Sequence, residues 1–377
     1  MADTITDILS RAATIVIKLG TAQLTDERGL SEDRIRAFAA SMVSAMRRGK
    51  RIILVTSGAV AAGSAVIFDG KKPDTIPKKQ AAASVGQITL MHRYFEAFAA
   101  LGVRIGQILL SEYVLRDRVS YLNARNTIHE LLNNGIIPVI NENDTIATEE
   151  LKFGDNDYLG AVVACLAEAD IYVILTDTDG LYRNYDDAQK RELIGVVERI
   201  DAAIKKEVSG KTSKFSTGGM ASKMRAMELT MHSGITGVIA NGADTNVLGR
   251  IASGEHVGTV FLPGGAASQR KRWILGNVNL KTKGTITVDA GAAKALVEND
   301  KSLLPGGIVS VSGKFSLGDA VNVADASKRV IARGIVNYSS AEIQKIKGKR
   351  SGDIREVLGE APYEEVIHRD NLVVDQL

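Results

Sequence analysis

Short runs of β-branched and aliphatic residues recur along the first two thirds of the chain: Thr14–Ile17, Arg51–Thr56, Ile136–Ile140, Ile171–Thr176 and Gly237–Ala240. Longer stretches of helical period separate them. Runs that stay apolar, instead of alternating with polar residues, belong to strands covered on both faces. The pattern therefore predicts an α/β three-layer sandwich with a mostly parallel central sheet. The stretch after the first run shows the helical spacing. Ser31 stands at an N-cap position, Glu32 and Asp33 follow, Ile35, Phe38, Met42 and Ala45 form the apolar stripe, and Arg47, Arg48 and Gly49 close it. Acids first, bases last and a glycine beyond the end suit the helix dipole and a C-cap.

From Pro263 to about Lys283 the alternation lapses. Beyond it GTITV, GIVSVSG, DAVNVAD and VIARGIVNY are short strands at close spacing with turn residues between them, the pattern of a small β-rich module. The expected organisation is an α/β domain over residues 12–265, a linker over 266–282 and the β-rich domain over 283–361. Neither an internal repeat nor a low-complexity tract is present, which excludes a solenoid.

Composition narrows the classes further. A length of 377 residues suits two or three domains, and 45% hydrophobic with 24% charged residues is ordinary for a globular protein. The single cysteine, Cys165, cannot form an intrachain disulfide and sits in an apolar stretch as a small core residue. The longest uncharged stretch, Ile52 to Phe68, contains Thr56, Ser57, Gly58, Gly63 and Ser64, so it reads as strand, turn and helix start, not as a membrane span. With no apolar run of signal length at the start, the expectation is a cytoplasmic protein with no membrane segment. A net charge of +3 is too small to argue for nucleic acid.

Candidate chemistry gathers where strands end, because loops diverge there and helix N-termini point inward. Lys18 lies late in TIVIKLGTA and is either a solvated edge residue or a cation aimed at a phosphate. Ser57 and Gly58 form a strand-to-helix turn whose backbone N–H groups can receive an anion. Gly58 and Gly63 have P-loop spacing, but Ser64 and Ala65 replace the Lys-Ser/Thr pair, so this is not a P-loop. PVINENDTIATEELKFGDNDYLG places Asn141, Glu142, Asn143 and Asp144 after a strand and Asp155, Asn156 and Asp157 before a helix. These are either two Asx-rich turns or groups that hold a substrate ammonium, orient a lysine, or back a metal's water; dedicated metal ligation is not expected without His or Cys. Thr176, Asp177, Asp179 and Gly180 end another strand. Finally Thr217, Gly218 and Gly219 lead into a helix carrying Lys223, which is either a nucleotide phosphate site or a surface loop.

Together these turns suit phosphoryl transfer, which needs positioning and charge neutralisation more than covalent chemistry. A carboxylate acceptor, with a pKa of about 4.3, is already ionised at neutral pH and needs no base. The five histidines, His92, His129, His232, His256 and His368, all lie outside the turns.

VIKLGT, VTSGAVAAG, LNARNT, PVINENDTIAT, FGDNDYL, LTDTDGLY, TGGMASK and SLLPGGIVSVSGKFSLGDAV, in this order, closely resemble the amino acid kinase family, in its form that phosphorylates glutamate and carries a C-terminal PUA domain. The resemblance runs from about Thr14 to His368. It implies ATP-dependent phosphorylation of the side-chain carboxylate of L-glutamate, giving L-glutamyl 5-phosphate, the first step of proline biosynthesis. Carried over by motif, Lys18 and Lys223 stabilise the transferring phosphoryl group and Asp157 orients both. Ser57, Gly58, Asp144, Asp155 and Asn156 hold glutamate. Lys18, Thr176, Asp177 and the run Thr217, Gly218, Gly219, Met220, Ala221, Ser222 and Lys223 bind ATP. Mg²⁺ is held mainly by nucleotide phosphates, with no protein metal site. Ser216 and Ser222 stand where glycine and threonine are usual in the family.

The same resemblance implies feedback inhibition by proline, a homo-oligomer (dimer or tetramer) and a hand-off of product to glutamyl phosphate reductase. The alternatives are relatives that phosphorylate N-acetylglutamate or aspartate, or an RNA-binding regulatory protein on a kinase scaffold. From Lys281 onward there are 14 Lys/Arg and 13 Asp/Glu, and only Lys345, Lys347, Lys349 and Arg350 cluster. RNA binding by the PUA-like tail is therefore not expected.

Overall fold

The computed structural model describes residues 2–26, 29–111, 118–146, 156–184, 190–202, 204–205, 219–264, 282–299, 301–359 and 363–374. Backbone contacts divide the chain into two compact units, residues 1–266 and 267–377.

In the first unit α1 (Ala2–Arg11) leads to β1 (Thr14–Leu19), α2 (Thr21–Leu24) and a small hairpin, β2 (Thr25–Asp26) with β3 (Gly29–Leu30). There follow α3 (Glu32–Arg47), β4 (Arg51–Thr56), α4 (Ala59–Ile67), α5 (Ile76–Ala99) and β5 (Ile105–Leu110). Then come α6 (Arg118–Asn133), β6 (Ile137–Glu142), α7 (Asn156–Leu166), β7 (Ile171–Thr176) and the hairpin β8 (Leu181–Arg183) with β9 (Glu192–Ile194). The unit ends with β10 (Val196–Val197), α8 (Gly219–His232), β11 (Thr236–Asn241), α9 (Val247–Ala252) and β12 (Thr259–Phe261).

Eight strands form one sheet in the order β10-β12-β11-β7-β1-β4-β6-β5. Every pairing in it is parallel except that of β11 with β12. The five runs expected as strands are β1, β4, β6, β7 and β11, the middle of the sheet. The three strands the pattern did not announce lie at its ends, where burial is partial or the strand is short. In β5, for example, Gln107 and Leu109 are exposed.

The period of two along each strand assigns the layers. Ile15, Ile17, Ile52, Leu54, Ile171 and Val173 pack with residues of α1, α3, α5 and α9 in one core, including Leu9, Phe38, Met42, Leu90, Tyr94 and Ile251. The intervening positions, Val16 and Lys18 among them, point to the opposite face, which α7 covers. A lysine is thereby carried into a strand buried along its whole length. Ser31 does occupy the N-cap of α3 but its side chain makes no capping hydrogen bond, leaving Glu32 and Asp33 to complement the dipole. Gly49 has a φ of 84°, as its place after the helix end requires.

The second unit contains β13 (Gly284–Val288), α10 (Ala290–Asn299), β14 (Ile308–Gly313), β15 (Ala320–Ala324), β16 (Val330–Ile335), α11 (Ser340–Ile346), α12 (Ile354–Leu358) and β17 (Leu372–Val374). Its sheet runs β14-β13-β15-β16-β17 over a separate core that includes Ile286, Val321, Ile331, Tyr338 and Ile343. Three short helices lie among strands that alone were announced by spacing. One of them, α11, starts at a capping box of Ser339 and Glu342. Among the described residues, no helix is long and apolar enough to cross a membrane.

Candidate active site

Asp157 is the second residue of α7, and its side chain is 0% exposed. Lys18 reaches Oδ1 with Nζ at 2.6 Å, and Lys223 reaches Oδ2 at 2.9 Å. The lysine side chains are themselves only 7% and 12% exposed. One carboxylate thus joins two ammonium groups in a setting with little water, where charges interact strongly. The trio carries one net positive charge and is suited to an anion with several oxygens.

Three local features build this arrangement. Tyr172, on β7, donates its hydroxyl to the Asp157 carbonyl at 2.7 Å, and a Cβ at Gly160 would collide with that hydroxyl, so glycine is what lets α7 lie so close to the sheet. Arg225 of α8 stacks over the Tyr158 ring of α7 at 4.5 Å, tying the two helices together two residues beyond Lys223. After β1, a Cβ on Gly20 would lie 3.3 Å from Lys18 Nζ, so glycine at this turn keeps side-chain atoms from crowding the ammonium.

Beside the trio lies a pocket of about 250 Å³ lined by Thr21, Ser57, Gly58, Ala59, Val60, Ala61, Asn141, Glu142, Asp144 and Asn156. Asn156 directly precedes Asp157, so one helix start serves both places. Its Nδ2 donates to the Thr56 carbonyl at 2.6 Å, to Ser57 Oγ at 2.8 Å and to Asn141 Oδ1 at 3.0 Å. Gly58 caps α4 with a φ of 107°, a left-handed conformation, and contributes no side-chain cap. The first N–H groups of α4 are therefore left for other acceptors. Helix α4 is held by α5 at very short range: a Cβ on Gly63 would overlap the Ala82 carbonyl oxygen, and one on Gly86 that of Ala59. From α5 the fully buried Tyr94 shares a 2.8 Å hydrogen bond with Thr56 Oγ1. Burial pushes this phenol upward, so it remains neutral.

Thr176 ends β7, the immediate neighbour of β1, and Asp177 follows it. Thr176 Oγ1 donates to Asp177 Oδ1 at 3.0 Å, and its carbonyl accepts from Gly242 N at 2.8 Å. Two residues on, Asp179 accepts from Tyr182 Oη at 2.6 Å and from Asn241 Nδ2 at 2.8 Å, and these bonds hold its carboxyl below the usual range. Gly219, Met220, Ala221 and Ser222 form the start of α8 ahead of Lys223. Among the described residues no group of three or more His, Cys, Asp or Glu is placed to hold a metal ion.

Lys18, Asp157 and Lys223 are thus brought together, and Ser57, Gly58, Asp144 and Asn156 line one pocket next to them. Asp155, Thr217 and Gly218 lie outside the described residues. Sequence reasoning noticed Asn141 and Glu142 without assigning them, and it missed Thr21, Tyr94 and Tyr172. Tyr94 and Tyr172 are fully buried aromatics, and only the partner of each hydroxyl reveals a second role.

Residues 13–241 match the model of the amino acid kinase family, and residues 284–358 match that of the PUA domain. The chain belongs to the amino acid kinase family. Within it, the chain is 48% identical over 366 residues to a glutamate 5-kinase of Caldanaerobacter subterraneus subsp. tengcongensis, covering 96% of this chain and 97% of the relative. A glutamate 5-kinase of Moorella thermoacetica is 44% identical, with 97% of each covered. Another, of Syntrophotalea carbinolica, is 43% identical, covering 98% of this chain and 99% of that one. The carbamate kinase of Giardia lamblia bound to AMP-PNP aligns with a TM-score of 0.50 at 16% identity, over 67% of this chain and 99% of that one, a likeness of fold alone. The kinase match lies within the first unit and the PUA match within the second.

Proposed function

We propose that this chain transfers the γ-phosphoryl group of ATP to the side-chain carboxylate of L-glutamate, forming L-glutamyl 5-phosphate, the first step of proline biosynthesis. The observation that carries the reading is the Lys18–Asp157–Lys223 trio beside a small pocket lined by amides and carboxylates. Near-full-length similarity to glutamate 5-kinases supports the choice of glutamate over N-acetylglutamate or aspartate.

In this reading the glutamate side chain, ionised at neutral pH, attacks the γ-phosphorus directly. A carboxylate oxygen–phosphorus bond forms, the bond from the γ-phosphorus to its bridging oxygen breaks, and ADP leaves with the electron pair. No proton has to move, in keeping with His256 bonding to the Gly195 carbonyl and His92 pairing with Glu96, away from the trio. Lys18 and Lys223 offset charge on the phosphoryl oxygens and the departing diphosphate. Asp157 fixes the ammonium groups before ligands arrive, so little reorganisation is needed during transfer. Asp144 takes the substrate ammonium, with Asp155 and Asn156 assisting. Ser57, Gly58 and the free N–H groups of α4 take a carboxylate. Lys18, Thr176, Asp177 and Thr217 through Lys223 hold ATP.

Magnesium, when bound, neutralises phosphate charge. Both oxygens of Asp157 already face lysines, so the donors present fit an ion held mainly by nucleotide phosphates and water. Proline inhibition, a homo-oligomeric state, hand-off of product to glutamyl phosphate reductase and a cytoplasmic location belong to the same proposal. RNA binding by the second unit does not.

The test is purified protein with ATP, Mg²⁺, glutamate and hydroxylamine. Glutamate-dependent hydroxamate is expected, with N-acetylglutamate and aspartate giving much less. A folded sample that forms none would overturn the reading.

A further inference from the structure

Gln87 lies on α5 next to Gly86, the residue whose missing side chain lets α5 touch the backbone of α4. It does not line the pocket. Its Oε1 nevertheless accepts from Asn141 Nδ2 at 2.9 Å. That bond fixes which way the Asn141 amide faces. Asn141 Oδ1 then accepts from Asn156 Nδ2 at 3.0 Å and from the Glu142 N–H at 2.9 Å. The two Nδ2 hydrogens of Asn156 are shared among Asn141, Ser57 and Thr56, which leaves the carbonyl oxygen as the group this pocket-lining amide can offer to a ligand.

The far end of Gln87 shows which of its atoms matters. Its Nε2 is buried and has no hydrogen-bond partner among the described residues. A buried amide donor without a partner is costly, and turning the amide over would give Nε2 no acceptor at Asn141, whose facing atom is also a donor. The Gln87 amide thus acts here through its carbonyl oxygen.

We infer that Gln87 is a positioning residue for the acceptor pocket: through Asn141 it sets the Asn156 amide so that a carbonyl oxygen, not an N–H, faces the substrate ammonium. This rests on the pocket being the glutamate site. The consequence falls on the acceptor substrate, because the hydrogen bonds of this chain of amides run to Glu142, Thr56 and Ser57 around the pocket.

The experiment is steady-state hydroxamate kinetics on Gln87→Leu, Gln87→Glu, Asn141→Ala and the Gln87→Leu/Asn141→Ala pair, beside the wild type. Losing one orienting hydrogen bond, Gln87→Leu is expected to raise the glutamate KM about tenfold while the ATP KM stays within about twofold. Gln87→Glu keeps the accepting oxygen and is expected to restore most of the glutamate affinity. In the Asn141→Ala background, Gln87→Leu is expected to add nothing, since the effect passes through Asn141. An unchanged glutamate KM, a rise shared equally by ATP, or an additive double variant overturns the inference alone. A wild type with no glutamate-dependent turnover overturns it together with the function it rests on.

Discussion

Lys223 crosses from α8 to meet Asp157 of α7 at 2.9 Å, while keeping 12% of its side chain exposed. The contact joins an ammonium group that α8 supplies to a carboxylate that α7 supplies. In Lys223→Ala, Lys18 still pairs with Asp157, and no buried charge is left alone. Turnover is expected to fall by about 100- to 1000-fold, as for loss of one preorganised charge donor. The melting temperature is expected to move by no more than a few degrees. Wild-type turnover in a folded variant would refute the role.

Asp157→Asn should behave differently. It keeps the shape but leaves two nearly buried ammonium groups without their shared counter-charge. Stability is expected to drop by about 3 kcal/mol, the lower end for breaking a buried pair, and turnover is expected to be lost. ATP should raise the melting temperature of this variant more than that of the wild type, because the phosphates supply the missing negative charge. Urea titration and thermal melts with and without nucleotide measure both; equal stability of variant and wild type would count against the trio as a charge-balanced unit.

The α4–α5 contact gives a prediction about packing. In Gly86→Ala the new methyl has nowhere to go, since it meets the Ala59 carbonyl oxygen of the α4 backbone. Overpacking of this kind costs about 1–3 kcal/mol, and moving α4 displaces the turn at Ser57 and Gly58. Denaturant titration should show the loss, and the glutamate KM should rise more than the ATP KM. A neutral substitution would mean that the two helices are not held at this separation.

Asp179 supplies a pH test. The Tyr182 hydroxyl, then the Asn241 amide, lowers its pKa in the folded chain. Its stabilising contribution is therefore complete above the unfolded carboxyl pKa of about 3.9 and is lost as pH falls through the lower folded value. The stability gap between wild type and Asp179→Asn should be constant from about pH 7 to about pH 5 and should shrink below about pH 4. A gap that widens on acidification would reverse the assigned shift.

The centre of the fold was legible because Val16, Ile53, Val139 and Val173 lie in uninterrupted apolar runs, which only a doubly covered strand explains. Strands β5, β10 and β12 were not: β5 is a half-exposed edge, and β10 and β12 are only two and three residues long, too short to form a run. Lys18 and Asp157 each had two readings in the sequence, because a lysine beside a glycine turn and an aspartate before a helix are common on surfaces. What separates the readings is a distance between residues 139 positions apart, and no local pattern contains it. Gln87 and Tyr94 were less visible still. Each sits in an ordinary helix, and the role lies wholly in which atom of a remote turn it touches.

Lys18 sits on β1, in the middle of the sheet, with β4 and β7 paired along nearly all of the strand. Moving its backbone would mean opening two ladders at once. Lys223 lies in the second turn of a helix whose start carries no such pairing. The two cations therefore differ in mechanical rank: one is a fixed reference point, and the other is the partner that can adjust. Any settling of the site around ATP of slightly different pose falls to the α8 side, so amide exchange in β1 should be indifferent to nucleotide while that in the first turns of α8 slows on binding.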